Sequence, residues 1–156
     1  MTDMDMRSPM DCQLDPAWLE WSTDKDERLR EFFTHDVPAM VADKYSTAGL
    51  RVAEHALLQR FPPGPSAPPE EEAVVRFACY LGQVFVESLN AYWFNDPFPY
   101  TAPRATIRFE FTDVRIDVHD QVVLALHHRT GTRWHDLHTA LASRCRAWWE
   151  SGRSAR

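Results

Sequence analysis

Glycine and lysine are scarce in this chain, with five glycines and two lysines among 156 residues. So few glycines leave little material for loops that cradle phosphates, and no GxGxxG, P-loop or GxSxG pattern occurs. The usual signatures of dinucleotide-binding enzymes, NTPases and α/β-hydrolases are therefore missing. Arginine outnumbers lysine 15 to 2, a bias that reflects genome composition more than function. Cysteine is sparse as well. Cys12, Cys79 and Cys145 make an odd count with no metal-type spacing, which argues against a disulfide framework or a cysteine zinc site. The opening MTDMDMRSPMD is acidic and polar and has no apolar h-region, and the most apolar stretch carries Glu72, Arg76 and Glu87. These absences predict a cytoplasmic protein with no membrane partner.

Charge is uneven. The net value is −6, with ten acids against four bases in residues 1–36 and nine bases against six acids in residues 104–156. The total disfavours nucleic acid as a partner. Arg144, Arg146, Arg153 and Arg156 read as a solvated basic tail.

What the chain has is a dominant apolar periodicity in Glu70–Trp93. At 100° per residue, Val74, Phe77, Ala78, Leu81, Val84, Phe85, Ser88, Leu89 and Tyr92 share one side of a helix. Val75, Cys79 and Val86 widen that face, so the helix is mostly buried. Pro68 and Pro69 precede it and Glu70, Glu71 and Glu72 fill its first turn, as the helix dipole favours. Glu72 and Arg76 are spaced for an i,i+4 pair. Gly82 costs roughly 1 kcal/mol against alanine in mid-helix, which close approach of another backbone would offset.

Around this helix the sequence predicts one domain over 1–156, with a flexible leader at 1–15 and a flexible tail at 151–156. Ser22 or Thr23 caps a helix over Asp24–Phe33, and Trp18, Leu19 and Trp21 dock on the core. Asp36 caps a restart, with a second helical stretch from Pro38 toward Tyr45. Ser46 or Thr47 caps a third helix over Ala48–Phe61, and prolines then stiffen the connector to Pro69. Ala105–Phe111 alternates as a strand and forms a hairpin with Val114–Val118, while Trp93–Asn95 supplies a short third strand. His119–Arg129 suits a helix capped by Asp117, with a buried strand as the alternative. A last helix runs over Arg133–Glu150. The fold class is α+β: mainly helical, a long central helix packed against N- and C-terminal helices and a small antiparallel sheet.

Two residue groups stand out as sites. The aromatic load is heavy, with six Trp, nine Phe and four Tyr. Tyr92, Trp93, Phe98 and Tyr100 crowd one junction with Asn95 and Asp96, and Trp149 faces outward beside the inward Trp148. Aromatics among small polar groups suit a recognition surface or a ligand groove, as well as a covered core. The second group is His119, His127, His128, His135 and His138. His135 and His138 sit i,i+3 on one helix, but HExxH needs i,i+4 and a catalytic Glu, and neither is present. Asp113, Asp117 and Asp120 near the hairpin read as carboxylates in water. No catalytic residue and no cofactor is assigned.

The segment ACYLGQVFVESLNAYWF resembles a helix-to-strand motif of small uncharacterised bacterial α+β domains, in which a Tyr-Leu-Gly turn of a buried helix is followed by a tryptophan. Tyr80, Leu81, Gly82 and Trp93 match it. Some of those domains resemble immunity proteins encoded beside polymorphic toxins. Acidity, small size, the aromatic surplus and the missing catalytic motifs point to a non-catalytic module that binds a protein partner, and the resemblance implies an immunity-type inhibitor as one form. The alternative is a small metal-binding protein or hydrolase that uses the His119–His138 cluster.

Overall fold

Secondary structure follows the periodicities in most of the chain. The computed structural model describes residues 8–64, 69–96 and 103–152. Its helices are α1 (Pro9–Gln13), α2 (Pro16–Glu31), α3 (Thr47–Arg60), α4 (Glu71–Leu89), α5 (Val118–His128) and α6 (Arg133–Glu150). Its strands are β1 (Tyr92–Asn95), β2 (Ala105–Arg108) and β3 (Ile116–Asp117), antiparallel in the order β1-β2-β3. The fold is α+β and mainly helical, as the sequence predicts.

Helix α4 is the centre. It touches α2, α3, α5, α6, β1 and β2, and Phe77, Cys79, Tyr80, Leu81, Val84 and Phe85 are fully buried along it. It stops earlier than expected. Asn90 adopts a left-handed conformation (φ 55°), and the next amide, of Ala91, donates back to Phe85 O at 3.4 Å. Asparagine tolerates that geometry and ends the helix. Tyr92, expected on its apolar face, belongs instead to β1, which contains the short strand expected over Trp93–Asn95.

Trp93 explains Gly82. A Cβ on Gly82 would overlap the six-membered ring of Trp93. The bare helix surface is thus the seat of an indole, not of another backbone. Gly49 is a second such position: a Cβ there would meet the Lys44 carbonyl and lie 2.6 Å from the Tyr80 hydroxyl, which itself donates to Lys44 O at 2.7 Å.

The N-terminal region departs from expectation. Residues 9–13 are helical, where a leader was expected up to residue 15. Ser8 and Asp11 form a capping box, Pro9 opens the helix, and Cys12 is buried. Asp15 accepts from the Ala17 amide at 2.9 Å and Pro16 takes the first helical position, so α2 begins well before Ser22. Thr23 Oγ1 donates to Leu19 O at 2.9 Å inside the helix and caps nothing.

Beyond α2 the chain makes a π-helical turn, Phe32–Asp36, closed by the Val37 amide on Phe32 O at 2.9 Å. Asp36 does not cap a restart, and 38–45 forms turns and bends. Its fully buried carboxylate accepts from Arg76 Nε at 2.6 Å and pairs with Arg60. Arg76 therefore spends its charge on Asp36, and Glu72 turns to Arg28, 3.5 Å away. The hydrogen bond to Asp36 is the largest cause of a raised Arg76 pKa.

The hairpin forms with Ile107 opposite Ile116, but β2 ends at Arg108 rather than Phe111. β1 supplies partners only as far as Tyr92, opposite Arg108. Phe109 and Phe111 leave the sheet and stay buried, Phe109 edge-on to Phe85 and Phe111 near Trp148. Residues 119–128 are helical, with Asp117 capping through the Asp120 amide at 3.0 Å. The tail expected at 151–156 lies outside the described residues beyond Gly152.

Candidate functional site

Helices α2 and α4 pack side by side and present matched stripes. Trp18, Trp21, Lys25 and Arg28 recur at helical spacing on α2, and Glu71, Val75, Ala78 and Gly82 do so on α4. Trp18 and Trp21 stack at 5.0 Å with a 6° interplanar angle, and Trp21 meets Trp93 at 5.2 Å. Lys25 Nζ lies 5.4 Å from the Trp93 ring centre, and Trp93 Nε1–H donates to Gln83 Oε1 at 3.2 Å. Three indoles are thereby fixed in one row.

Next to that row the two helices, the start of β2 and the start of α5 enclose a cleft of about 450 Å³. Its apolar walls are Trp21, Val75, Ala78, Ala105 and Val118, and its polar groups include Arg28, Arg104, Asp117, His119 and Glu71. Most of those charges are paired. Arg104 Nε donates to Asp117 Oδ2 at 2.6 Å, and His119 Nε2 lies 2.9 Å from Glu71 Oε1. Arg28 is different. Its Nη1 is buried without a hydrogen-bond partner, and Glu72 stands too far from Nε for a good hydrogen bond.

The residues singled out in the sequence are split up. Trp93 faces inward over Gly82. Asn95 is buried and structural: its Nδ2 donates to Cys12 O at 2.9 Å and its Oδ1 accepts from the Arg104 amide at 2.9 Å. Gln13 pairs with the Asn95 backbone in both directions, at 2.9 and 2.8 Å, and so covers the β1 edge. Asp96 is buried and accepts from Arg115 Nη1 at 3.2 Å. Tyr92 is exposed on the outer sheet face, where Arg108 lies 3.6 Å from the Phe94 ring centre. Trp149 is exposed on α6, edge-on to Trp148 at 5.5 Å. Phe98 and Tyr100 lie outside the described residues.

The histidines do not converge. His119 sits on Glu71, and His127 and His128 end α5. His135 Nδ1 is 3.2 Å from Asp136 Oδ1 and its Nε2 is 3.4 Å from Arg51 Nη2. His138 is buried, with its ring 5.6 Å from Phe85 and its Nε2 2.8 Å from Ser88 Oγ. Among the described residues no three His, Cys, Asp or Glu side chains are placed to hold a metal ion. Burial, with a smaller contribution from His135, lowers the His138 pKa.

Ser88 and His138 are the nearest approach to a nucleophile and base. Ser88 Oγ also reaches Val84 O at 2.5 Å, and His138 Nδ1 is buried with no partner, so no acid orients the ring. Burial pushes the Cys79 thiol up to about 12, far from thiolate chemistry at neutral pH.

No protein-family model matches the chain, and neither a curated protein nor a solved structure does.

Trp21 was expected to dock on the core and Arg28 was not singled out, so neither was expected at a site. Their signal was the 18-21-25-28 spacing, hidden once α2 was started at Asp24. Glu54 was missed too. It is fully buried on α3, and its carboxylate accepts from the Trp134 amide at 2.7 Å and the Arg133 amide at 3.2 Å. It caps α6 from another helix, which no local pattern reveals. Among the described residues no helix is long and apolar enough to cross a membrane.

Proposed function

We propose that this chain acts by binding a small molecule rather than by catalysis, and that the cleft between α2, α4 and α5 is where it binds. The cleft itself carries the reading. Its volume of about 450 Å³ falls in the range of roughly 300–1,000 Å³ usual for ligand pockets. It combines apolar walls with a few fixed polar groups, the mixture such pockets use for affinity and orientation. The three indoles hold one wall in place without a ligand, which reduces the ordering cost of binding. Support for binding over catalysis comes from Cys79 and from the Ser88–His138 contact, which lacks an orienting acid.

The test is to fill the cleft. Val75 is half-buried on its α4 wall, so Val75→Trp occupies the space. Small aromatic compounds that bind the parent protein in calorimetry should lose binding to the folded variant. Undiminished binding would place the site elsewhere.

A protein partner, of the immunity-inhibitor kind that the resemblance implies, has a separate observation in its favour. Met10, Leu14 and Leu19, near the start of the described chain, are 69%, 65% and 50% exposed. A stoichiometric partner captured at native expression and lost on Leu14→Asp would support it. Capture that ignores the substitution would count against this surface.

A further inference from the structure

Resting on the cleft reading, we propose that its ligand is a small organic anion, a carboxylate or phosphate carried on a flat apolar body, with Arg28 reading the anion and Trp21 the body. Most basic groups around the cleft already have a carboxylate partner. Two basic side chains of the cleft have close carboxylate partners, Arg104 in Asp117 at 2.6 Å and His119 in Glu71 at 2.9 Å. The same two contacts occupy two of its acids. Asp120 is exposed at the first turn of α5, where water screens it and the positive helix end compensates it.

Arg28 is the exception. It lies between α2 and α4 with its side chain only 20% exposed. A guanidinium offers five N–H donors, yet Nη1 is buried without an acceptor. Its acidic neighbour, Glu72, is 3.5 Å from Nε and is itself 60% exposed. Leaving such donors unmade is costly when water is excluded. An anion in the cleft would not reach the buried Nη1; it would meet the exposed part of Arg28 and add the close charge-assisted contact that Glu72 supplies only at long range. Arginine suits carboxylate and phosphate equally, because its planar fork matches two oxygens.

The apolar half of the ligand follows from the opposite wall. Trp21 is held flat against Trp18 and braced by Trp93, so its position is set before binding. A planar or short branched hydrocarbon covers an indole wall at little entropic cost. An anion alone would leave Val75, Ala78 and Val118 wet. An uncharged aromatic would leave Arg28 with only the 3.5 Å contact to the largely exposed Glu72.

The experiment is calorimetric titration of the full chain with 2-naphthoate, 2-naphthyl phosphate, 2-naphthamide, acetate and inorganic phosphate. The first two should bind roughly 10- to 100-fold tighter than the amide, the scale of one charged hydrogen-bond set. Whichever of them is tighter identifies carboxylate or phosphate as the natural group. Acetate and inorganic phosphate should bind weakly or not at all. Arg28→Gln should bring the naphthyl anions down to the affinity of the amide, and Arg28→Lys should recover part of the loss. If the amide binds as tightly as the anions, or if Arg28→Gln leaves the difference intact, the anion proposal is wrong while the cleft remains a binding site. Acetate binding as tightly as naphthoate would remove the role given to Trp21. If no naphthyl compound binds the folded protein, the cleft reading falls together with this inference. Should Arg28→Gln fail to fold, the anion-to-amide ratio on the parent protein still decides.

Discussion

Gly82 matters for the atom it lacks. Its bare Cα surface seats the Trp93 ring, and Trp93 braces Trp21 at the wall of the cleft. Gly82→Ala gains roughly 1 kcal/mol of helix propensity. It also forces an indole out of its seat, and overpacking costs roughly 1–3 kcal/mol. The expected balance is net destabilisation in urea unfolding, with a changed Trp21–Trp93 environment in the fluorescence; a more stable variant would contradict the seat. His138 makes a second residue-scale prediction. Burial lowers its pKa below the ordinary 6.5, so the folded state favours the neutral ring. The unfolded chain binds the proton more readily, so the contribution to stability is intact above 6.5 and is lost as pH falls through the lower folded value. Thermal stability should decline as pH falls below the ordinary 6.5, and His138→Gln should flatten that decline. Equal slopes for the two proteins would show that other groups cause it.

At the scale of elements, helices cap one another across the fold. α3 sends Glu54 to the first amides of α6 and receives Arg129, whose Nη1 and Nη2 donate to Phe61 O and Leu58 O, both at 2.8 Å. Glu54→Gln keeps the shape but removes the negative charge and one acceptor. It should cost roughly 1–3 kcal/mol and expose the α6 N-terminus to faster amide exchange at Trp134. Unchanged exchange would mean the cap is not needed. Such contacts mark the boundary of what the sequence reveals. The start of α4, the helix after Asp117, the extent of α6 and the β2–β3 pairing were legible, because periodicity and local caps such as Asp117 report on near neighbours. Asp36 was not legible. Its position before Pro38 suggests a helix start, but Arg60 and Arg76, distant in sequence, claim it. Tyr92 likewise continues a helical stripe until Asn90 turns the chain. The cleft was least legible, since its parts come from α2, α4, β2 and α5, and of its lining only His119, Asp117 and Asp120 stood out for chemistry rather than packing.

On the scale of the molecule, the aromatic surplus is mostly consumed in packing. Phe32, Phe33, Phe77, Tyr45 and Tyr80 form one cluster, the three indoles a second, and Phe85, Phe109, Phe111 and Trp148 a third. These clusters surround α4, which therefore holds the fold together, and its stripe from Glu71 to Gly82 also lends one wall to the cleft. The recognition surface expected at Tyr92–Tyr100 keeps Tyr92 on the outside and turns Trp93, Asn95 and Asp96 to structural work. Binding at the cleft is thus the central claim, and an amide and indole NMR titration of the full chain with 2-naphthoate tests it most directly. The account predicts shifts concentrated at the Trp21 indole, Val75, Ala105, Val118 and His119. Shifts centred on Tyr92 or Trp149, or no shifts at saturating ligand, would contradict it.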